Sequence, residues 1–178
     1  MSCTSQALGG LPQNCEQNVG GVKKVYIANR SDVTAVAVDD TSHMVKTITM
    51  NPTNKFKSYG FKKGAASFTS TATIDNANGV YFVQTVVSID FAKMETRKRI
   101  EMSALSLGEL IVIVLDANNK YWLLGQDEYA YATAGTGETG AARTDSNHYH
   151  IEITDESSDY PYEVDPAAIA DIVEETAE

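Results

Sequence analysis

A mainly β fold, a sandwich or barrel of antiparallel strands with one packed α-helix, is predicted by three observations. Short runs of β-branched and aromatic residues recur along the chain, closed by Asn, Asp, Gly or Pro. One internal stretch alone, residues 93–107, carries apolar residues at helical spacing. Strand and helix signals do not alternate, which points to antiparallel rather than parallel pairing.

In chain order, Val22–Ala28 reads as a strand ending at the turn former Asn29. Met44–Met50 stops at Asn51-Pro52, where proline removes a ladder donor. Phe56–Phe61 and Ala66–Ile74 are short strands parted by Lys62-Lys63-Gly64. Val80–Phe91 is the clearest strand: Tyr81, Val83, Thr85, Val87, Ile89 and Phe91 share one face, while Gln84, Ser88 and Asp90 lie on the other. With Ala66–Ile74 it brackets Asp75–Gly79, so a long hairpin is predicted with its tip at Asn76–Gly79. In the 93–107 helix, Ile100, Ala104 and Leu107 form the apolar spacing, Glu95 lies near the start and Gly108 is the stop. Leu110–Leu115, apolar on both faces, reads as a strand covered on both sides. Asp116–Asn119 turns it into Tyr121–Leu124; Tyr129–Ala134 and Asn147–Thr154 are further strands, and Pro166–Val173 is a short helical candidate. One domain is expected at this length, divided into an N-terminal arm 1–20, a β domain 21–160 and an acidic extension 161–178.

The net charge of −10 is unevenly spread. Residues 1–110 hold 12 Lys+Arg and 9 Asp+Glu (+3), and residues 111–178 hold 2 and 15 (−13). So acidic a half disfavours tight wrapping of nucleic acid, whose affinity comes from cations on phosphates. It also gives one surface of each sign, which neighbouring copies can match. The longest aliphatic run, Leu110–Leu115, is far shorter than the roughly twenty residues a spanning helix needs, so no membrane association is expected. The first residues lack a basic start and an apolar stretch, so no secretory signal is expected. Cys3 and Cys15 are the only cysteines; two free thiols suit a reducing cytoplasm, a disulfide becomes possible outside it, and zinc lacks a histidine in this arm.

Gly135-Thr-Gly137-Glu-Thr-Gly140 matches G-x-G-x-x-G, the dinucleotide fingerprint. No helix follows to hold a pyrophosphate, and Glu138 puts a carboxylate where phosphate charge would lie, so a mobile small-residue loop is expected and no cofactor. His148, His150 and Glu152 form H-x-H-x-E on a strand, on one face, but the outer two lie about 13 Å apart along it, beyond one metal ion. A solvated face is expected there; a His148–His150 pair with a ligand from another strand stays open, and the only other histidine is His43. With no nucleophile elbow and no Cys–His neighbour, catalysis is not expected. Arg97-Lys98-Arg99 is a basic triplet on the helix, either solvated or a docking patch for acids. Tyr121, Trp122, Tyr129 and Tyr131 are candidates for an aromatic platform, which would make the chain a sandwich module binding carbohydrate or protein.

Residues 15–33, CEQNVGGVKKVYIANRSDV, resemble the N-terminal segment of virion proteins from tailed phages of gut Bacteroidales, including crAss-like phages. The block IVIVLDANNKYWLLG (111–125), followed by a Gly-containing loop and DSNHYHIEITDESSDYPYEV, is similar to the C-terminal half of their tail-tube-like proteins. The resemblance covers roughly residues 15–165 and implies a homo-oligomeric ring or tube subunit in the tail or collar. Its partners would be other copies and neighbouring tail, portal or head-completion proteins. Double-stranded DNA would pass through without specific binding, and the chain would be made in the host bacterial cytoplasm. Candidate subunit-interface residues are Asn76, Asn78, Gly79, Arg97, Lys98, Arg99, Gly135, Gly137, Glu138 and Gly140; candidate channel acids are Asp127, Glu128, Glu138 and Asp145.

Overall fold

The computed structural model describes residues 9–11, 13 and 15–174. Cys15 is exposed, and Cys3, its candidate partner, lies outside that range. The strands are β1 (Val22–Asn29), β2 (Val33–Val38), β3 (Val45–Met50), β4 (Phe56–Tyr59), β5 (Ala66–Asp75), β6 (Val80–Ala92), β7 (Leu110–Asp116), β8 (Tyr121–Leu124), β9 (Tyr131–Glu138), β10 (His148–Ser157), β11 (Tyr162–Val164) and β12 (Val173–Glu174), with one helix, α1 (Thr96–Leu107). The fold is mainly β, two curled sheets of predominantly antiparallel strands with one packed helix. Sheet A runs β12-β4-β1-β7-β8-β11-β3-β2 and sheet B runs β5-β6-β10-β9. Only β11 against β3 and β12 against β4 are parallel.

β1 and β7 form the spine of sheet A, with Val25 opposite Val114 and Ile27 opposite Val112. Alternation sends Val25, Ile27, Val112 and Val114 to one face, where they meet Val87, Ile89, Ile151 and Ile153 of sheet B. Tyr26, Ala28, Ile111 and Ile113 point the other way, into a second core closed by Val33, Val45, Ile48, Phe56 and Val164. Sheet A therefore curls, bringing β2 and β3 over its own back. β2 has no counterpart in the sequence reading: its alternation of valine with exposed Thr and Ala marks a short, half-covered edge.

Four sequence expectations change. α1 begins at Thr96 rather than 93, because Lys93 takes φ +67° to turn the chain out of β6. Its buried residues are Met102 and Leu105, whereas Ile100 is 55% and Leu107 90% exposed and Ala104 is also exposed. In the described part of the 161–178 extension, residues 161–174, Tyr162–Val164 pairs with β8 and β3 and Val173–Glu174 with β4. Its acids sit beside lysines of other segments: Lys46–Asp165 at 2.7 Å, Lys120–Glu163 at 2.5 Å, and Lys57–Glu174. The Lys46 hydrogen bond holds the Asp165 carboxyl below its ordinary range, and Lys57 does the same for Glu174. Within that stretch only Pro166–Ala168 is helical, a 3₁₀ turn capped by Asp165.

Leu105→Ala should cost about 2–5 kcal/mol in urea unfolding, as large-to-small core changes do. Leu107→Ser should cost under about 0.5 kcal/mol, as surface changes do. The reverse order would place the other helix face against the core.

Candidate functional site

Sheet B carries the features that bear on function. None of the 14 Lys and Arg residues falls in its strands β5, β6, β9 and β10. Its inner face is set by buried Val83, Thr85, Val87, Ile89 and Phe91 on β6 and by Ile151 and Ile153 on β10. Strand parity then puts Gln84, Ser88, Asp90, His148, His150, Glu152 and Glu156 outward, beside the Ser and Thr of β5. The outward face is thus hydroxyl-rich and anionic.

The histidines are cross-linked within this face, and half-buried rather than fully solvated. His150 Nδ1 donates to Asp90 Oδ1 at 2.6 Å, and its Nε2 lies 3.5 Å from Glu152 Oε1. Asp90 is the direct cross-strand neighbour of His150, so the pairing follows from register. His148 Nε2 lies 3.4 Å from Glu138 and 4.0 Å from Asp90, while its Nδ1 is buried without a partner. The Asp90 hydrogen bond raises the His150 pKa, with a smaller contribution from Glu152, against a desolvation cost. Among the described residues no group of three His, Cys, Asp or Glu is arranged to hold a metal ion.

The glycine run is strand, not loop, as far as Glu138, a correction to the expected mobile segment. Gly135 pairs with Ile151, Gly137 with Tyr149 and Glu138 with His148. The reason is packing on the inner face of β9. A Cβ on Gly137 would stand 2.8 Å from the Tyr149 ring and 3.2 Å from Met94 Cε. A Cβ on Gly135 would meet Met102 and Ser106 of α1 at ordinary contact distances, 3.8 and 4.0 Å. Gly140, at φ +68°, opens the true loop and abuts Asp145. Asp145 Oδ2 accepts from the amides of Ala141 (2.8 Å) and Ala142 (2.7 Å), which hold its carboxyl below the ordinary range.

The other sequence-designated residues spread over both ends of sheet B. At the hairpin tip, Asp75 accepts from Ala77 N and from the backbone and side chain of Asn78, leaving Asn76 and Gly79 outermost. Asp127 and Glu128 lie at this same end, Asp127 accepting from Ser158 N and Oγ. At the opposite end the basic triplet divides. Arg97 and Arg99 are exposed, but Lys98 is spent on its own chain, donating to Ala92 O at 2.6 Å and pairing with Glu95 at 3.0 Å. The aromatic quartet does not form one platform. Trp122 stacks on Phe68 in the first core, Tyr121 packs on the second, and Tyr129 and Tyr131 meet edge-on elsewhere. Sequence reasoning left the outward acids Asp90, Glu152 and Glu156 out of the channel set; parity along Val80–Phe91 and Asn147–Thr154 was the signal for the first two.

Between α1 and β4 lies a groove of about 650 Å³, floored by Tyr59, Phe91 and Met102 and edged by Lys57, Arg97 and Glu174. Tyr59 Oη donates to Glu101 at 3.3 Å, and burial, reinforced by that carboxylate, pushes its phenol pKa upward.

Gly137→Ala should lower stability by about 1–3 kcal/mol through overpacking, while Gly135→Ala should stay within about 0.5 kcal/mol; equal effects in denaturant melts would contradict the packing account. His150 is raised in the folded state, so its favourable pairing is fully present below its unfolded pKa of about 6.5 and is lost as pH rises through the higher folded value. NMR titration of Asp90→Asn should return His150 toward 6.5, and an unchanged midpoint would remove Asp90 as the cause. Against known protein families, curated proteins and solved structures the chain has no match.

Proposed function

We propose that this chain is a structural subunit of a tailed-phage virion. It joins other copies edge to edge through sheet B into a ring or tube whose channel passes double-stranded DNA. The observation that carries the reading is sheet B, free of Lys and Arg, with two open edges. β5 and β9 each have one strand partner and contain no Lys or Pro, and β9 carries a single bulge, at Thr133. Four mutually antiparallel strands give edges running in opposite directions, so β5 of one copy set against β9 of the next continues the antiparallel ladder. Two different edges form a heterologous contact, the kind that closes into a ring.

In such a ring the outward face of sheet B lines the channel, because the inner face is already occupied by core. Asp90, Glu138, Glu152 and Glu156 then repel phosphate, so DNA slides without being held. Asp127 and Asp145, bound to their own loops, and Glu128 edge the channel rather than pave it. The virion setting comes from the resemblance of residues 15–33 and 111–165; neighbouring tail, portal or head-completion proteins would be its further partners.

Consecutive strand residues direct their amides to opposite sides, so of Thr71→Pro and Ala72→Pro one removes an edge donor and leaves β6 pairing intact. The variant that keeps the native melting temperature should be monomeric by mass photometry where the parent forms rings. Rings from that folded variant would exclude β5 as the joining edge.

A further inference from the structure

We propose that Asn78 is a site of spontaneous deamidation, through a cyclic imide closed by the backbone nitrogen of Gly79, and that the conversion unfastens the tip of the β5–β6 hairpin. The inference concerns the single chain and does not rest on the ring reading. In the first step the Gly79 amide gives up its proton, its nitrogen bonds to Asn78 Cγ, and the Cγ–Nδ2 bond breaks, ammonia leaving with the proton. Water then opens the imide at either carbonyl. One opening leaves an aspartate; the other leaves an isoaspartate, whose backbone runs through the side chain and is one methylene longer. The net exchange is amide and water for acid and ammonia, with no oxidant or reductant.

Three conditions select this asparagine: an unhindered attacking nitrogen, one that is not tied elsewhere, and access for water. Of the ten asparagines only Asn78 precedes glycine, so only there does the attacking residue carry no Cβ. Gly79 takes φ +66°, and a Cβ added to it would meet nothing within 4 Å, so the turn stands clear of the rest of the protein. The second condition comes from the hydrogen bonds. The amides that follow Asn18, Asn29, Asn76, Asn118 and Asn119 are each committed, to Asn118 Oδ1, Glu109 O, Asp75 Oδ1, Asp116 O and Asp116 Oδ1. Asn51 precedes proline, which has no N–H to lose. The Gly79 amide, by contrast, donates to no protein group among the described residues. Water reaches the site because residues 76–80 are exposed. The hairpin also overhangs the sandwich there, since β10 stops at Ser157 opposite Val83 while β6 begins at Val80.

The consequence follows from which atom leaves. Asp75 fastens the turn: its Oδ1 accepts from Ala77 N at 2.9 Å and Asn78 N at 3.2 Å, and its Oδ2 accepts from Asn78 Nδ2 at 2.6 Å. Nδ2 is the nitrogen lost as ammonia, so the shortest of the three bonds goes with it. The Asn78 side chain, ahead of the two backbone amides, holds the Asp75 carboxyl below its ordinary range, so Asp75 is a carboxylate at neutral pH. An aspartate at position 78 then sets like charge against like where donor met acceptor. An isoaspartate lengthens a turn whose flanks, Asp75 and Val80, are cross-strand partners. Beyond Val83 no third strand supports the hairpin, and Ile74 and Tyr81, the next pair, are 64% and 48% exposed. Loosening therefore spreads from the tip as far as Val83, where β10 takes hold.

The test incubates the folded full chain in heavy-oxygen water at mildly alkaline pH and follows each asparagine by peptide mass spectrometry. Asn78 should take up heavy oxygen several-fold faster than any other asparagine, as a mixture of aspartate and isoaspartate, and faster still as pH rises and the Gly79 amide loses its proton more readily. Conversion at Asn76, Asn118 or Asn119 that matches or outpaces Asn78 would overturn the site. Unfolding the chain in urea should narrow the gap to the asparagines whose following amide is tied in the fold; an unchanged ranking would remove the hydrogen-bond argument and leave only the glycine. A second arm reads the consequence without waiting for the reaction. In Asn78→Asp, NMR titration should find the Asp75 carboxyl moved up toward its ordinary range, and amide exchange should quicken between Ile74 and Phe82 but not beyond Val83. An Asp75 midpoint and exchange rates equal to those of the parent would show that the tip stays fastened and overturn the unfastening.

Discussion

Strand β7 dictates the architecture because it has no polar side to give to water. Leu110 through Val114 are buried on both faces, so each face needs its own cover. A fully buried Ile, Leu or Val is worth about 1.5–3 kcal/mol, which makes leaving either face open untenable. Sheet B with α1 covers one side. The other side is closed by sheet A curling on itself, which is why β2 and β3 and the chain beyond Asp155 must return to pair with it.

That demand partitions the charge. Sheet A is a mixed surface in which late acids meet early lysines, as at Lys46–Asp165 and Lys57–Glu174. Exposed pairs of this kind add little to stability, but they tie three late acids, Glu163, Asp165 and Glu174, to lysines. Sheet B is left without Lys or Arg, bearing acids, hydroxyls and two histidines outward and core inward. The proposed assembly uses that polar, anionic wall and both open edges. The same sheet has an acidic tip and a basic far end, which the proposed lateral joining would leave uncovered.

Much of the fold was legible in the sequence. The period-2 signal of Val80–Phe91, the Asp75–Gly79 turn and the two-faced apolar run at 110–115 each depend on local chemistry, and each has its counterpart in the structure. What failed depended on tertiary context. α1 presents Ile100 and Leu107 at helical spacing, yet Met102 and Leu105 fill the space beside β9, and helical periodicity alone does not choose between two mixed faces. Gly135 and Gly137 read as loop because glycine weakens strands; they are strand because the Tyr149 ring and Met94 crowd Gly137 and α1 lies over Gly135. The acidic end read as an extension because charge looks like solvent exposure, whereas two of its partners, Lys46 and Lys57, lie more than a hundred residues earlier. For the candidate site, the hairpin tip and basic triplet were visible, but their placement at opposite ends, and the retirement of Lys98 into the β6–α1 corner, required the topology.

The central claim is that sheet B joins copies edge to edge and turns its anionic face to a channel. Electron cryo-microscopy of the assembled protein tests it most directly. The account expects a closed ring or tube whose inner wall is the β5-β6-β10-β9 sheet, with Asp90, Glu138, Glu152 and Glu156 facing the lumen. An assembly with those acids on its outer surface, or a protein that remains monomeric at the highest attainable concentration, would contradict it.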